Sequence, residues 1–250
     1  MEEDDAIRTI ANVRVVKACG LRQEDVNRLL NGLVDPQEGI RIETKPLPGE
    51  VHIVLTAECE SDGEKAGKHL KPLVKEIRRR FGDAAYSSKV EETLEMTVVR
   101  LLKKYGLRVT TAESCTGGLV AGRIVNVPGA SEVFEEGFVT YSNRAKRKYL
   151  DVSKSTLKKY GAVSEQTARE MAMGGVFVTD ADACVAVTGI AGPDGGTPEK
   201  PVGLVYLAAY MKDKVTAEKC QFCGDRAEVR AQAVTKALDL LRRSILDNYR

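Results

Sequence analysis

Histidine is nearly absent from this sequence, and tryptophan is absent altogether. Only two of the 250 residues are histidine, His52 and His69, and both precede residue 90. Residues 90–250 therefore contain no imidazole that can act as the base for a serine or cysteine nucleophile. Nucleophilic chemistry in that part of the chain would have to use a lysine, a tyrosine or a carboxylate as the base.

A strong excess of one charge and long apolar runs are also missing. The chain has 38 Lys and Arg against 36 Asp and Glu, a net charge of +2, and its first 90 residues are equally balanced. Proteins with a dedicated nucleic-acid surface usually carry a large positive excess, so we expect no nucleic-acid partner. No apolar run reaches the roughly 18–20 residues that span a bilayer, and the acidic residues 2–5 do not resemble the start of a signal peptide. We expect a cytoplasmic protein that does not enter a membrane.

Cysteine is too sparse for a disulfide scaffold, with six in 250 residues, so we expect reduced thiols. Cys220 and Cys223 form a CxxC pattern, but a second pair and a nearby histidine are missing, and the pattern therefore does not predict a zinc site. Chance spacing is the simplest interpretation, and a thiol redox site is the alternative. We predict neither a metal nor a cofactor.

The first third of the chain predicts a small α+β domain over residues 1–88. Apolar residues at helical spacing over residues 6–33 predict one or two short helices, interrupted at Gly20. Two strands, residues 39–45 and 50–59, are predicted to form a hairpin around residues 46–49. A helix is predicted from Gly63 to Phe81, and residues 86–89 are interpreted as a linker.

Residues 90–250 predict a three-layer α/β/α domain, because strands alternate with helices. The first helix, residues 90–105, should end at Gly106. Strands are predicted at residues 107–111, 137–141, 183–188 and 202–210, and helices near residues 119–125, 164–178 and 226–246. Two glycines, Gly174 and Gly175, should bend or shorten the helix that contains them, since glycine costs about 1 kcal/mol in a helix.

The first candidate site is the stretch TAESCTGG, residues 111–118, which places Ser114 where a strand ends and a helix begins. A helix start offers unpaired N–H groups and a positive dipole end, which suit an oxyanion. The alternative is that Ser114 or Thr116 only caps the helix. Lys146 and Tyr141 follow another predicted strand and are candidate bases, but the residues alone do not favour Lys146 over Lys148.

The second candidate site is the glycine-rich loop after the predicted strand 183–188. Its glycines let the backbone approach a ligand closely and can form an N–H concavity for phosphate, although the loop does not match a Walker motif. The candidate ligand-binding residues are Gly189, Ala191, Gly192, Gly195, Gly196 and Thr197. Arg226, at the start of the last helix, is a candidate phosphate ligand. Alternatively, Asp225 caps that helix and Arg226 is a surface residue.

These motifs closely resemble the C-terminal domain of the CinA family. The resemblance runs in order over residues 90–250 and is carried by residues 111–118, 140–143 with Lys146, 161–165, 188–196 and 199–203. Residues 1–90 resemble, less sharply, the small KH-like module of full-length CinA proteins. We find no counterpart of the molybdopterin-binding-like domain of the long forms, and we therefore do not expect ADP-ribose pyrophosphatase activity.

The family includes nicotinamide-nucleotide amidase, which hydrolyses the carboxamide of nicotinamide mononucleotide to the carboxylate and ammonia. The resemblance implies that Ser114 is the nucleophile and Lys146 its base, that no metal takes part, and that Tyr141 orients the amine. It also implies an oxyanion site at the N–H groups around Thr116, Gly117 and Gly118.

The implied partner is a small nucleotide, with the glycine-rich loop and Arg226 at its ribose and phosphate. The alternative function is a nucleic-acid-associated module that uses the KH-like domain, with the C-terminal domain as a non-catalytic nucleotide binder. We further expect a homo-oligomer, a dimer or larger.

Overall fold

The computed structural model describes residues 10–33, 39–59 and 63–249. The chain divides into two compact units, Met1–Glu92 and Thr93–Arg250. Each unit contains its own β-sheet.

The described part of the first unit contains four strands and two α-helices. In chain order these are β1 (Ile10–Cys19), α1 (Gln23–Leu30), β2 (Ile40–Leu47), β3 (Glu50–Cys59), α2 (Gly63–Phe81) and β4 (Ala85–Ser87). The strands form one antiparallel sheet in the order β2-β3-β1-β4. Its core is built by sheet residues such as Val16 and Ile53 and by Leu70 and Ile77 of α2. The unit is a small α+β domain of the predicted class.

The predicted helices over residues 6–33 are wrong in their first half, because Ile10–Cys19 is a strand. β1 pairs along its whole length with β3, from Ile10 opposite Cys59 to Cys19 opposite Glu50. The β-branched residues of this segment suit a strand, but Val13 and Val16 also fit helical spacing. The spacing of apolar residues therefore does not distinguish a helix from a strand here. Residues 6–9 lie outside the described residues.

The predicted hairpin and the helix after it are confirmed. β2 and β3 are joined by the two-residue turn Pro48–Gly49, with Leu47 opposite Glu50. The helix α2 ends at Phe81, as predicted. The segment that was interpreted as a linker instead begins inside β4, because Ala85–Ser87 adds an edge strand beside β1.

The second unit contains five strands and six α-helices in its described residues. They are α3 (Leu94–Tyr105), β5 (Val109–Glu113), α4 (Leu119–Val125), β6 (Phe134–Val139), α5 (Asn143–Leu150), α6 (Lys154–Tyr160), α7 (Glu165–Thr179), β7 (Ala183–Gly189), β8 (Leu204–Met211), β9 (Lys214–Gln221) and α8 (Arg226–Tyr249). The sheet order is β6-β5-β7-β8-β9; β6, β5 and β7 are parallel, and β8 runs antiparallel to both of its neighbours, β7 and β9.

The helices lie in two layers with the sheet between them. α3 and α4 pack against α8, whereas α5 and α6 pack against α7, and both α7 and α8 cover β7 and β8. The predicted three-layer α/β/α class is therefore confirmed. The edge strand β9 was missed, because its sequence KVTAEKCQ is polar and only half-buried and carries a weak strand signal.

The two glycines of α7 are packing positions, and the predicted shortening of this helix is wrong. α7 runs without interruption from Glu165 to Thr179. A Cβ atom on Gly174 would overlap the carbonyl oxygen of Leu150, and one on Gly175 would lie 2.5 Å from the Cys184 sulfur. Glycine at these positions lets α7 approach α5 and β7 closely.

The sheet topology decides where functional residues meet. β5 lies between β6 and β7, and all three strands run in the same direction. The residues that follow them, Ser114, Thr140 and Ile190, therefore lie along one edge of the sheet. This carboxyl edge is where open α/β sheets bind their ligands.

Candidate active site

Ser114 follows the last residue of β5. Its N–H donates to the carbonyl of Val187 on β7 across 2.9 Å, which extends the parallel pairing by one residue. Ser114 is 9% exposed. The sheet thus holds this serine at its carboxyl edge, at the start of a turn that leads into α4.

Lys146 lies in the first turn of α5 and points back to this serine. The helix start is capped by the Ser142 hydroxyl, which accepts from the N–H of Ala145 at 3.0 Å. The Lys146 amine donates to the hydroxyl oxygen of Ser114 at 2.8 Å and to the carbonyl oxygen of Thr140 at 2.7 Å. Lys146 is only 1% exposed. The structure therefore brings together the two residues to which the resemblance assigns nucleophile and base.

The surroundings of Lys146 favour a neutral amine. Burial lowers the pKa of Lys146 from 10.5 to about 8, and Cys115 opposes the shift only in part. A buried cation loses its hydration, and here its two hydrogen-bond partners are uncharged. At pH 7 about a tenth of the molecules would carry a neutral amine, compared with less than about a thousandth at the ordinary pKa.

Tyr141 makes no hydrogen bond to the Lys146 amine within the described residues. Its side chain is exposed, and its hydroxyl accepts a hydrogen bond from the Nη2 atom of Arg226 at 3.1 Å. In the described chain, the carbonyl of Thr140 holds the Lys146 amine in place of the Tyr141 hydroxyl.

Cys115 is next to the serine, but its thiol is a poor nucleophile at neutral pH. It is buried, and burial raises the pKa of its thiol from 9.0 to about 11. The thiolate is the nucleophilic form of cysteine, and it is scarce at neutral pH when the pKa is this high. The hydroxyl of Ser114 is therefore the better candidate nucleophile.

Glu113, the last residue of β5, caps the N-terminus of α4 with its carboxylate. The sequence did not identify this role. The fully buried carboxylate accepts from the N–H groups of Gly118, Val120 and Ala121 at 2.9, 3.1 and 2.9 Å. A carboxylate on a helix N-terminus satisfies donors that the helix leaves unpaired. An acidic residue at the end of a strand and just before a glycine-rich helix start was the available signal.

Residues 114–118 form a turn, the Ser114 turn, and two of the three expected oxyanion donors in it are already hydrogen-bonded. The N–H of Gly117 donates to the Ser114 carbonyl at 3.1 Å, and the N–H of Gly118 donates to Glu113. Both groups are thus used to build the turn. Within the described residues, the N–H groups of Cys115 and Thr116 make no hydrogen bond to another residue. Of the three predicted positions, only Thr116 retains an available donor.

A cavity of about 260 Å³ opens beside the serine and the lysine. The glycine-rich loop forms one wall, with Gly189, Ala191, Gly192, Asp194 and Gly195. Ala162 and Val163, which precede α7, also line the cavity. Gly189 is needed sterically, because a Cβ atom there would lie 2.8 Å from the Leu204 carbonyl oxygen.

Two of the predicted loop residues do not line this cavity. Thr197 closes a turn, since its N–H donates to the Lys200 carbonyl at 2.9 Å. Gly196 packs on Val202, whose backbone nitrogen would be 2.9 Å from an added Cβ atom. Both residues shape the loop, and their distance from the cavity could not be inferred from glycine content alone.

Two side chains outside the predicted site, those of Lys200 and Thr188, hold residues 160–163 in place. The Lys200 amine donates to the carbonyls of Tyr160 and Val163 at 2.6 and 2.7 Å. The Thr188 hydroxyl donates to the Ala162 carbonyl at 2.8 Å. These bonds fix residues 160–163 against β7 and the segment that follows it.

Arg226 lies at the rim of the cavity, and Asp225 is also the cap of α8. The Arg226 guanidinium donates to the Gly192 carbonyl at 2.7 Å and to Tyr141. Asp225 accepts from the N–H of Glu228 at 2.9 Å, and Glu228 accepts from that of Asp225 at 2.8 Å, which is a capping box. The capping interpretation of Asp225 is therefore correct, and Arg226 in addition faces the cavity.

The sequence of the chain matches two family models. Residues 91–245 match the CinA C-terminal domain, and residues 13–87 match the KH domain of damage-inducible protein CinA. The chain belongs to the CinA family.

Curated relatives of the CinA family resemble almost the whole chain. A putative competence-damage inducible protein of Clostridium beijerinckii and a CinA-like protein of Kosmotoga olearia are each 46% identical over 233 residues, 93% of this chain. The chain spans about half the length of the curated relatives it matches, since each alignment covers 56% of the relative.

Solved CinA structures share the fold of a large part of the chain. Protein CihA from Agrobacterium tumefaciens is 45% identical with a TM-score of 0.60, and covers 61% of this chain and 93% of its own. A CinA superfamily protein from Klebsiella pneumoniae is 37% identical with a TM-score of 0.60, and covers 62% and 96%.

The candidate site lies wholly inside the CinA C-terminal domain, residues 91–245. Three further features concern the described residues 10–33, 39–59 and 63–249. No helix there is long and apolar enough to cross a membrane. No group of three or more His, Cys, Asp or Glu residues that could hold a metal occurs there. Cys220 and Cys223 are both free thiols, and burial raises the pKa of Cys220 from 9.0 to about 11, which does not favour the redox alternative.

Proposed function

We propose that this protein hydrolyses the carboxamide of nicotinamide mononucleotide to nicotinate mononucleotide and ammonia. The observation that carries the proposal is the 2.8 Å contact between the buried amine of Lys146 and the hydroxyl of Ser114, at the wall of a cavity. A serine beside a desolvated lysine is an activated nucleophile for acyl transfer. The choice of substrate rests on the resemblance to nicotinamide-nucleotide amidases.

The first step is proton transfer from Ser114 to Lys146. The lowered pKa of Lys146 makes the neutral amine accessible near neutral pH, and its contact with the hydroxyl is within the range of general-base catalysis. The carbonyl of Thr140 keeps the amine in place while its protonation state changes.

The serine oxygen then attacks the carboxamide carbon, and a C–O bond forms while the carbonyl oxygen becomes an oxyanion. The protonated Lys146 gives its proton to the amide nitrogen. The C–N bond breaks, ammonia leaves, and the nicotinoyl group remains on Ser114 as an ester. A water molecule, deprotonated by Lys146, attacks this ester. The C–O bond to Ser114 breaks, the proton returns to the serine oxygen, and the carboxylic acid that is released ionises to the carboxylate.

The cavity supports a nucleotide of this size. Its volume of about 260 Å³ suits the pyridine and ribose better than a macromolecule. Arg226 at the rim is the candidate ligand of the 5′-phosphate, because a guanidinium can bind phosphate through two N–H donors. The glycine-rich loop lets the backbone lie against the ribose.

The test is ammonia release from nicotinamide mononucleotide by purified wild type, Ser114→Ala and Lys146→Met. We expect each substitution to reduce kcat by about 10⁴-fold or more, because the two residues act as a unit. Lys148→Met is the matched control, since Lys148 is an exposed lysine two residues further along the same helix. Full turnover in either active-site variant would exclude the proposed pair.

A substrate comparison tests the phosphate assignment. Wild type should prefer the nucleotide to nicotinamide riboside and to nicotinamide, and Arg226→Gln should raise KM for the nucleotide more than for the riboside. Equal use of all three compounds would contradict a phosphate contact.

A further inference from the structure

Arg230 contacts the Ser114 turn from α8, one helical turn after Arg226. Its Nε atom donates to the carbonyl of Cys115 at 3.0 Å, and its Nη2 atom donates to the carbonyl of Thr116 at 2.9 Å. One guanidinium therefore holds two successive peptide carbonyls directly after the serine. The reaction steps given above assign no part to this arginine.

The planarity of the peptide bond turns these contacts into a constraint on N–H groups. In a trans peptide, the carbonyl of one residue and the N–H of the next point in opposite directions. Because the Cys115 carbonyl is drawn toward Arg230, the N–H of Thr116 is directed away from it. The Ser114 carbonyl is likewise held by the N–H of Gly117, which directs the N–H of Cys115 away from the turn.

Two neighbouring N–H groups are thereby fixed in direction but make no hydrogen bond to another described residue. They belong to the two residues that follow the serine hydroxyl in sequence. Successive N–H groups without an acceptor on another residue form a concavity that binds anionic oxygen. In the described chain, the Cys115 N–H has only the sulfur of its own side chain as a partner. A guanidinium on the opposite side of the peptide also polarises the Thr116 N–H and strengthens it as a donor.

We propose that Arg230 is a positioning residue that orients the N–H groups of Cys115 and Thr116 as the oxyanion site of this enzyme. The inference rests on the proposed amidase function, because it assumes that Ser114 attacks a carbonyl. Arg230 itself acts through the backbone. Its own contacts are to the main chain of the Ser114 turn, whereas those of Arg226 are to Gly192 and Tyr141.

The first experiment separates kcat from KM. Removal of one oxyanion donor typically lowers kcat about 10²–10³-fold; Arg230→Gln leaves the donors present but less well oriented, so we expect a loss of about 10- to 100-fold. KM should change little, since ground-state binding does not use these donors. Arg230→Lys should recover part of kcat, because an ammonium can hold one of the two carbonyls.

A matched control lies on the same helix. The Gln232 amide also donates to two main-chain carbonyls, those of Cys223 and Glu228, but does not contact the Ser114 turn. Gln232→Ala should leave kcat unchanged. Arg226→Gln should show the opposite pattern to Arg230→Gln, with a raised KM for the nucleotide and a smaller change in kcat.

The second experiment does not depend on the substrate. A fluorophosphonate forms a P–O bond with an activated serine and loses fluoride, and its phosphoryl oxygen occupies the oxyanion site during attack. We expect Ser114 of wild type to be labelled, and Arg230→Gln to be labelled about 10-fold or more slowly. Labelling is followed by intact mass and by loss of the signal in Ser114→Ala.

The outcomes distinguish the inference from the function on which it rests. If Arg230→Gln is labelled more slowly than wild type, but wild type does not release ammonia from the nucleotide, the substrate is rejected and the inference is retained. Equal labelling of folded Arg230→Gln and wild type would overturn it, as would a variant with unchanged kcat and a raised KM, which would assign Arg230 to the phosphate. A wild type that is not labelled would overturn both proposals.

Discussion

The amine of Lys146 donates to the hydroxyl of Ser114 at 2.8 Å without a carboxylate to balance its charge in the described part of the chain. The nearest carboxylate along the strand, that of Glu113, is occupied by three N–H groups of the helix start. An ion pair would raise the pKa of the lysine and keep it charged. The neutral surroundings instead lower it, which leads to two predictions on pH.

The amidase rate should rise with pH through the pKa of Lys146. Because the neutral amine is the active form, kcat/KM is expected to increase about tenfold per pH unit below pH 8 and to level off above it. The measurement is kcat/KM for nicotinamide mononucleotide from pH 6 to 10. A rate that continues to rise to about pH 10 would show an ordinary lysine and contradict the assignment.

The lowered pKa of Lys146 also predicts how the free energy of unfolding changes with pH. Between the folded pKa of about 8 and the unfolded value of 10.5, the unfolded chain binds a proton at Lys146 that the folded chain does not. The free energy of unfolding of wild type should therefore rise across this window relative to Lys146→Met, by up to about 3 kcal/mol. Urea unfolding of both proteins at several pH values measures the difference, and parallel curves would refute the shift.

The carboxylate of Glu113 should be a major support of the turn that carries the serine. Glu113→Gln loses the charge and places an amide N–H₂ among the N–H groups of Gly118, Val120 and Ala121, so we expect a loss of about 2–3 kcal/mol in the free energy of unfolding. The control is Glu135→Gln, which removes an exposed ion pair with Arg108 and should cost less than about 1 kcal/mol. Equal losses in the two variants would argue against the capping role.

Two glycines in helices should respond in opposite ways to alanine. Gly174→Ala places a methyl group against the backbone of Leu150 and should lower the free energy of unfolding by about 3 kcal/mol. Gly122 of α4 has open space around an added Cβ atom, so Gly122→Ala should raise it by about 1 kcal/mol. Thermal and urea unfolding of both variants tests this contrast, which would fail if Gly174→Ala were as stable as wild type.

Much of the second unit could be predicted from local patterns, whereas the first strand of the chain could not. The alternation of apolar strands with helices identified the α/β/α domain, because β7 and β8 are short runs of mostly apolar residues. β1 was mistaken for helix, because Val13 and Val16 fit both spacings. Its strand conformation depends on pairing with β3, whose residues lie about 40 positions further along the chain.

Composition and motifs by themselves determined that residues 90–250 offer no histidine base, and that a serine and a glycine-rich loop follow two apolar strands. Only the tertiary structure decided which groups meet there. Lys146 and Lys148 are two residues apart on one helix and so point about 200° apart, and only the docking of α5 on the sheet turns Lys146 inward. The N–H groups of Gly117 and Gly118 are likewise consumed by contacts of the folded turn, because a donor's availability depends on every acceptor that the fold brings near it.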